Sequence, residues 1–80
     1  MKQIAFTSAA ARQWVKLPDD MRRRINGKLT VFAKTGQGDV KRLKGRVGAR
    51  LRIGDHRVIF YVEGDKIVVV AVGHRREIYD

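Results

Sequence analysis

Three arginines in the second half of the chain, Arg50, Arg52 and Arg57, have types and spacing suited to holding an anion. They stand in the run Gly48-Ala49-Arg50-Leu51-Arg52-Ile53-Gly54-Asp55-His56-Arg57-Val58-Ile59-Phe60, which continues through Gly64-Asp65 to Val72. Gly-Asp pairs between β-rich runs mark two-residue hairpin turns. A turn at Gly54-Asp55 sets Ile53 opposite His56, Arg52 opposite Arg57 and Leu51 opposite Val58. A second turn at Gly64-Asp65 sets Glu63 opposite Lys66, Tyr61 opposite Val68 and Arg57 opposite Val72. Strand side chains alternate between faces. One face then carries Leu51, Val58, Phe60, Val62, Ile67, Val69 and Ala71, and the other carries Arg50, Arg52 and Arg57 with no acidic residue opposite them. Like charges facing each other destabilise a sheet, so the pattern calls for an anion between them. Planar guanidinium forks bind phosphate oxygens in pairs. The alternative is a solvated edge strand whose charges discourage aggregation.

The rest of the composition agrees with a polyanion ligand. The chain has 80 residues and a net charge of +10, from 18 basic and 8 acidic residues. Such a charge favours polyanions or an acidic protein partner and speeds encounter with either. The basic residues cluster as Arg22-Arg23-Arg24, Lys41-Arg42-Lys44-Arg46, Arg50-Arg52-Arg57 and His74-Arg75-Arg76. The length fits one small domain spanning residues 1–80, and the 44% apolar fraction is enough for a folded core. With no cysteine there is no disulfide framework or thiolate zinc site. His56 and His74 alone are too few to build a metal site, and no metal or other cofactor is expected. The N-terminus lacks the apolar run of a signal peptide or membrane span, which points to the cytoplasm and away from membranes.

The elements that must position the arginines follow from periodicity. Gln3 to Phe6 suits a short strand, and Thr7 or Ser8 a helix cap. Ala10, Trp14 and Leu17 form the buried stripe of a first helix that Pro18 ends. Asp19 or Asp20 caps a second helix, whose apolar face is Met21, Ile25, Leu29 and Phe32 and whose stop is Gly36. Gln37 to Arg46 is a basic connector with Val40 and Leu43 as anchors. The fold class is therefore α+β in the order β-α-α-β-β-β, a helical hairpin covering one face of a small antiparallel sheet. The arginine face stays open.

In this order the pieces resemble the RelE/ParE superfamily, the toxins of bacterial type II toxin–antitoxin pairs. The similarity runs over nearly the whole chain. It rests on Lys16-Leu17-Pro18, Val40-Lys41-Arg42-Leu43-Lys44-Gly45, Arg50 to Phe60, and Val72-Gly73-His74-Arg75-Arg76-Glu77-Ile78-Tyr79. The ending with Gly73, Arg75 and a late Tyr79 resembles the RelE branch, with its RelE-like microbial ribonuclease-type fold. That branch comprises metal-independent mRNA interferases, endoribonucleases that cut mRNA in the ribosomal A site and so inhibit translation. ParE-type members share the fold, poison DNA gyrase and carry no nuclease site. The resemblance implies catalytic roles for Arg57, Arg75 and Tyr79, and for Arg50 and Arg52 where the family often has lysines. Arginine keeps its proton at neutral pH, so Arg50 and Arg52 can bind charge but not act as bases.

If RNA binds, Lys41, Arg42, Lys44, Arg46, His74 and Arg76 are the expected backbone contacts. The partners implied are the ribosome with its mRNA and a cognate acidic antitoxin, in a complex that extends to higher order. One geometric demand follows. Regular alternation puts Arg75 on the face away from Arg57, so the chain must break register near Gly73 if the two are to meet.

Overall fold

A computed structural model describes residues 1–78. Its elements are β1 (Gln3–Phe6), α1 (Ser8–Val15), α2 (Asp19–Thr35), β2 (Asp39–Arg42), β3 (Ala49–Ile53), β4 (His56–Glu63) and β5 (Lys66–His74). The strands form one sheet in the order β1-β5-β4-β3-β2. The α+β class and the helical hairpin on one face are as the sequence implies. Two features go beyond it. The segment expected to be a connector contains strand β2, paired antiparallel to β3 from Asp39↔Arg52 to Arg42↔Ala49. The sheet is mixed, because β1 lies parallel to β5.

Local chemistry explains the helices. The Thr7 hydroxyl accepts from the Ala10 N–H at 3.2 Å and starts α1. Pro18 occupies the N-cap position of α2 and gives no side-chain cap, so the cap expected from Asp19 or Asp20 is absent. Both aspartates lie instead in the first turn, where their charge suits the helix dipole, and Asp19 pairs with Arg22.

Ile25, Leu29 and Ala33 of α2 are buried against Leu51, Ile53, Val58, Phe60, Ile67, Val69 and Val72 of the sheet. Edge-on ring contacts tie the layers at Phe32–Phe60, 5.2 Å, and within the β1–α1 corner at Phe6–Trp14, 5.3 Å. Beyond Phe6 no strand among the described residues neighbours the outer edge of β5. There the Gln13 side-chain oxygen accepts from the Val72 N–H at 2.9 Å, so that buried backbone donor is satisfied.

The first hairpin has the expected register, with Arg52↔Arg57 and Ile53↔His56. The second keeps the expected register from Glu63↔Lys66 to Phe60↔Val69 and then slips. Ile59 opposes Ala71, Val70 is the extra residue, and Arg57 faces Gly73 rather than Val72. The break demanded by the arginines therefore exists, but at Val70 and not at Gly73. It moves Ala71 to the arginine face beside Ile59 and turns Val72 into the core. Val62, expected in the apolar layer, is 49% exposed because β4 runs past the start of β3.

Candidate functional site

Two rows of side chains cross the open face. One is Lys41, Arg50, Ile59 and Ala71, and the other is Asp39, Arg52, Arg57 and Gly73. The expectation that no acid opposes the arginines fails at Asp39, because β2 is a strand. Arg52 Nη1 lies 4.0 Å from Asp39 Oδ2. Both groups are more than half exposed, so the pair is weak and leaves Arg52 available to a ligand. Within this polar face Ile59 is only 2% exposed.

The hairpin turn at Gly54-Asp55 gathers the next two arginines. Arg57 Nη1 donates to the carbonyls of Gly54 and His56, each at 2.9 Å, which folds the guanidinium back toward the tip of the turn. Arg75 reaches the same turn from the end of β5. Its backbone N–H donates to the Asp55 carbonyl at 2.7 Å, and its Nε lies 3.9 Å from Asp55 Oδ1.

Strand β5 stops at His74 because the chain coils there. The N–H groups of Glu77 and Ile78 both donate to the His74 carbonyl, at 2.8 and 3.2 Å. Ile78 then returns over the arginine face. A Cβ on Gly73 would stand 3.4 Å from Ile78 Cγ1 and Cδ1, so the missing side chain makes room for it. Gly73 and Ile78 thus shape the site, and sequence reasoning missed them as a pair. The only signal was a glycine beside an arginine row, which becomes informative once the register is known.

Of the sequence-predicted residues, Arg52, Arg57 and Arg75 come together around the turn, with Arg50 one row away. Tyr79 lies outside the described residues. The basic connector is split. Lys41 joins the arginine face opposite Arg50, while Arg42, opposite Ala49, falls on the other face. Lys44 and Arg46 are exposed in the loop before β3, at the end of that strand away from Gly54-Asp55. Arg42 and Arg46 there border an open groove of about 460 Å³, floored by Leu43, Val47, Phe60 and Val62. His74 pairs with His56 on the helix-facing side, and Arg76 is exposed. Burial lowers the His56 pKa from its ordinary value; the nearby His74 and Arg24 push the same way, and Asp55 and Glu77 oppose them.

An α+β domain that holds several arginines on an open sheet face matches a known class of small toxin. The family model for the ParE toxin of the type II toxin–antitoxin system, parDE, matches residues 4–79, and the chain belongs to that family. Its fold is shared by solved RelE proteins. RelE of the intact E. coli RelBE toxin–antitoxin complex superposes with a TM-score of 0.81 at 19% identity, over 92% of this chain and 96% of that one. The RelB–RelE antitoxin–toxin complex of Methanococcus jannaschii gives 0.76 at 27% identity, over 95% of each chain. A copper-bound mutant toxin from Helicobacter pylori gives 0.82 at 18% identity, over 99% of this chain and 100% of that one. Among curated proteins no sequence matches it.

Proposed function

We propose that this toxin is a ribosome-dependent endoribonuclease that cleaves mRNA in the A site. The observation that carries the reading is the attachment of Arg57 and Arg75 to one turn, beside Arg52 on the same sheet row. Two hydrogens of Arg57 are committed to carbonyls through Nη1. The remaining donors, on Nε and Nη2, are left for phosphate oxygens.

Cleavage without a metal requires three tasks. A base removes the 2′-OH proton, the 2′-oxygen attacks the adjacent phosphorus, and the 5′-oxygen leaves with a proton, giving a 2′,3′-cyclic phosphate and a 5′-hydroxyl. Arg57 stabilises the charge that builds on the non-bridging oxygens, with Arg52 and Arg50 holding the flanking backbone. Arg75 stabilises the departing oxygen, which takes its proton from water. Tyr79, which the family resemblance assigns to the site, is the base in this scheme, since a site built from arginines would favour its phenolate. No group in the set is a strong base, so the ribosome must supply alignment of the mRNA, and alignment alone lowers a barrier by several kcal/mol.

The solved relatives in complex with an antitoxin support an antitoxin as the second partner, the net charge of +10 suits an acidic one, and the proposed compartment is the cytoplasm. Primer extension on translating ribosomes tests the proposal. Wild type is expected to generate new A-site ends and Arg57→Ala almost none. Absence of such ends with active wild-type toxin removes the reading.

One observation favours a second function, inhibition of DNA gyrase, namely the match to the ParE family model. That reading predicts DNA breaks and loss of supercoiling in a gyrase assay, insensitive to Arg57→Ala and Tyr79→Phe.

A further inference from the structure

The Gly54-Asp55 turn is basic on both sides. Arg57 lies on the open face of the sheet and Arg75 beside Asp55, and a second set approaches from the helix side. Arg24 of α2 lays its guanidinium against Gly54, where a Cβ would stand 3.2 Å from Nη2 and 3.4 Å from Cζ and Nη1. Gly54 has φ +57°, so the turn geometry and the close approach both demand a residue without a side chain.

Next to it, His56 and His74 face each other across β4 and β5, with ring centroids 5.6 Å apart at 79°. His74 Nδ1 accepts from the Arg76 N–H at 3.2 Å, which leaves its Nε2–H as a donor. His56 Nδ1 is buried with no hydrogen-bond partner among the described residues. The described ion pairs are Arg22–Asp19, Arg52–Asp39 and Arg75–Asp55, and none includes Arg24. The nearby carboxylates are Asp55, already beside Arg75, and Glu77.

We propose that Arg24, His56 and His74 form a second anion site, for a phosphate group, on the helix side of the turn. The cluster supplies a guanidinium fork and two imidazoles, and among the described residues Arg24 forms no ion pair. A cation would be repelled there by Arg24. An anion would offset the repulsion among the basic groups and accept from the Arg24 guanidinium and the His74 Nε2–H. The phosphate comes from a nucleic-acid strand wrapping the turn or from free phosphate. The site does not depend on cleavage, so it stands apart from the nuclease reading.

The test follows the histidine side chains by NMR near pH 6.5, in the isolated protein. One arm titrates inorganic phosphate and the other a 2′-O-methyl trinucleotide, which cannot be cleaved. Both imidazole resonances are expected to shift. Arg24→Gln should weaken the response at least tenfold, and Arg23→Gln, the same charge loss at the neighbouring exposed position, should leave it. Tighter response to the trinucleotide assigns the site to strand phosphates, and tighter response to inorganic phosphate assigns it to the free anion. Imidazoles that respond to neither probe, or respond equally in Arg24→Gln, overturn the proposal. Because no cleavage is read, this outcome is separate from a failed ribosome assay.

Discussion

Arg57 and Arg75 carry the same charge but are held differently, and the difference sets their expected contributions. Arg57 is fixed through two carbonyl contacts of its own side chain, whereas the Arg75 side chain is tethered by one long ion pair. Loss of a preorganised donor costs about 2.7–4 kcal/mol of barrier. Arg57→Ala should therefore slow A-site cleavage by about 100- to 1,000-fold, read as single-turnover rates on ribosome-bound mRNA. Arg57→Lys should recover little, because an ammonium cannot hold two carbonyls and bridge two phosphate oxygens together. His56 gives a prediction of another kind. Its folded-state pKa lies below the ordinary value near 6.5, with burial the largest cause. As pH falls, the unfolded chain takes the proton first. Stability associated with His56 is thus complete above about pH 6.5 and declines as pH falls toward the folded-state pKa. Urea midpoints at about pH 7.5 and 5.5 should fall in wild type and fall less in His56→Gln. Equal falls would show that other groups carry the dependence.

Strand β5 shows what an element can hide. Val68-Val69-Val70-Ala71-Val72 has no alternation of polar and apolar residues, so nothing in its composition marks Val70 as the extra one. The need for a break was nevertheless legible, since Arg57 and Arg75 could not share a site without it. The hairpin turns were legible because each Gly-Asp pair stands between clear strand runs, and both registers near the turns follow from them. Strand β2 was not. With charged Asp39, Lys41 and Arg42 around the single apolar Val40, it resembles a solvated linker, and its pairing with β3 is decided by tertiary contact. The same gap hid Asp39 as the neighbour of Arg52. Deleting Val70 tests the role of the bulge. It should remove the irregularity while leaving Ile59 opposite Ala71, Val58 opposite Val72 and Arg57 opposite Gly73. The folded variant should then keep Val72 buried and A-site cleavage near the wild-type rate, and a folded variant without cleavage would show that the extra twist of the bulge itself shapes the site. Gly73→Val acts further along the same element. Its branched side chain should displace Ile78 from the arginine face, lowering cleavage more than stability. A variant with wild-type cleavage and Ile78 still in place would show that the turn after His74 does not shape the site.

At the scale of the whole molecule, the arginine-rich turn and the exposed apolar surface lie at opposite ends of the sheet. Arg24, Arg52, Arg57 and Arg75 surround the Gly54-Asp55 end. Val47, 89% exposed, and Val62 border the groove at the other end, with Arg42 and Arg46 on its rim. A net charge of +10 attracts any polyanion, so affinity alone does not reveal where RNA sits. Salt dependence does, because each phosphate neutralised on a single strand contributes about −0.7 to the slope of log K against log salt. Contact with about three to six phosphates predicts a slope between about −2 and −4, measured by anisotropy with a short uncleavable RNA. Replacing both Arg52 and Arg57 with glutamine should reduce the magnitude by about 1.4 if each holds one phosphate. Val47→Asn at the groove should leave the slope unchanged. If the double variant keeps the wild-type slope, the RNA lies elsewhere and the arginine face loses its role in binding. If instead the groove variant changes the slope, the strand reaches across the molecule to its apolar end.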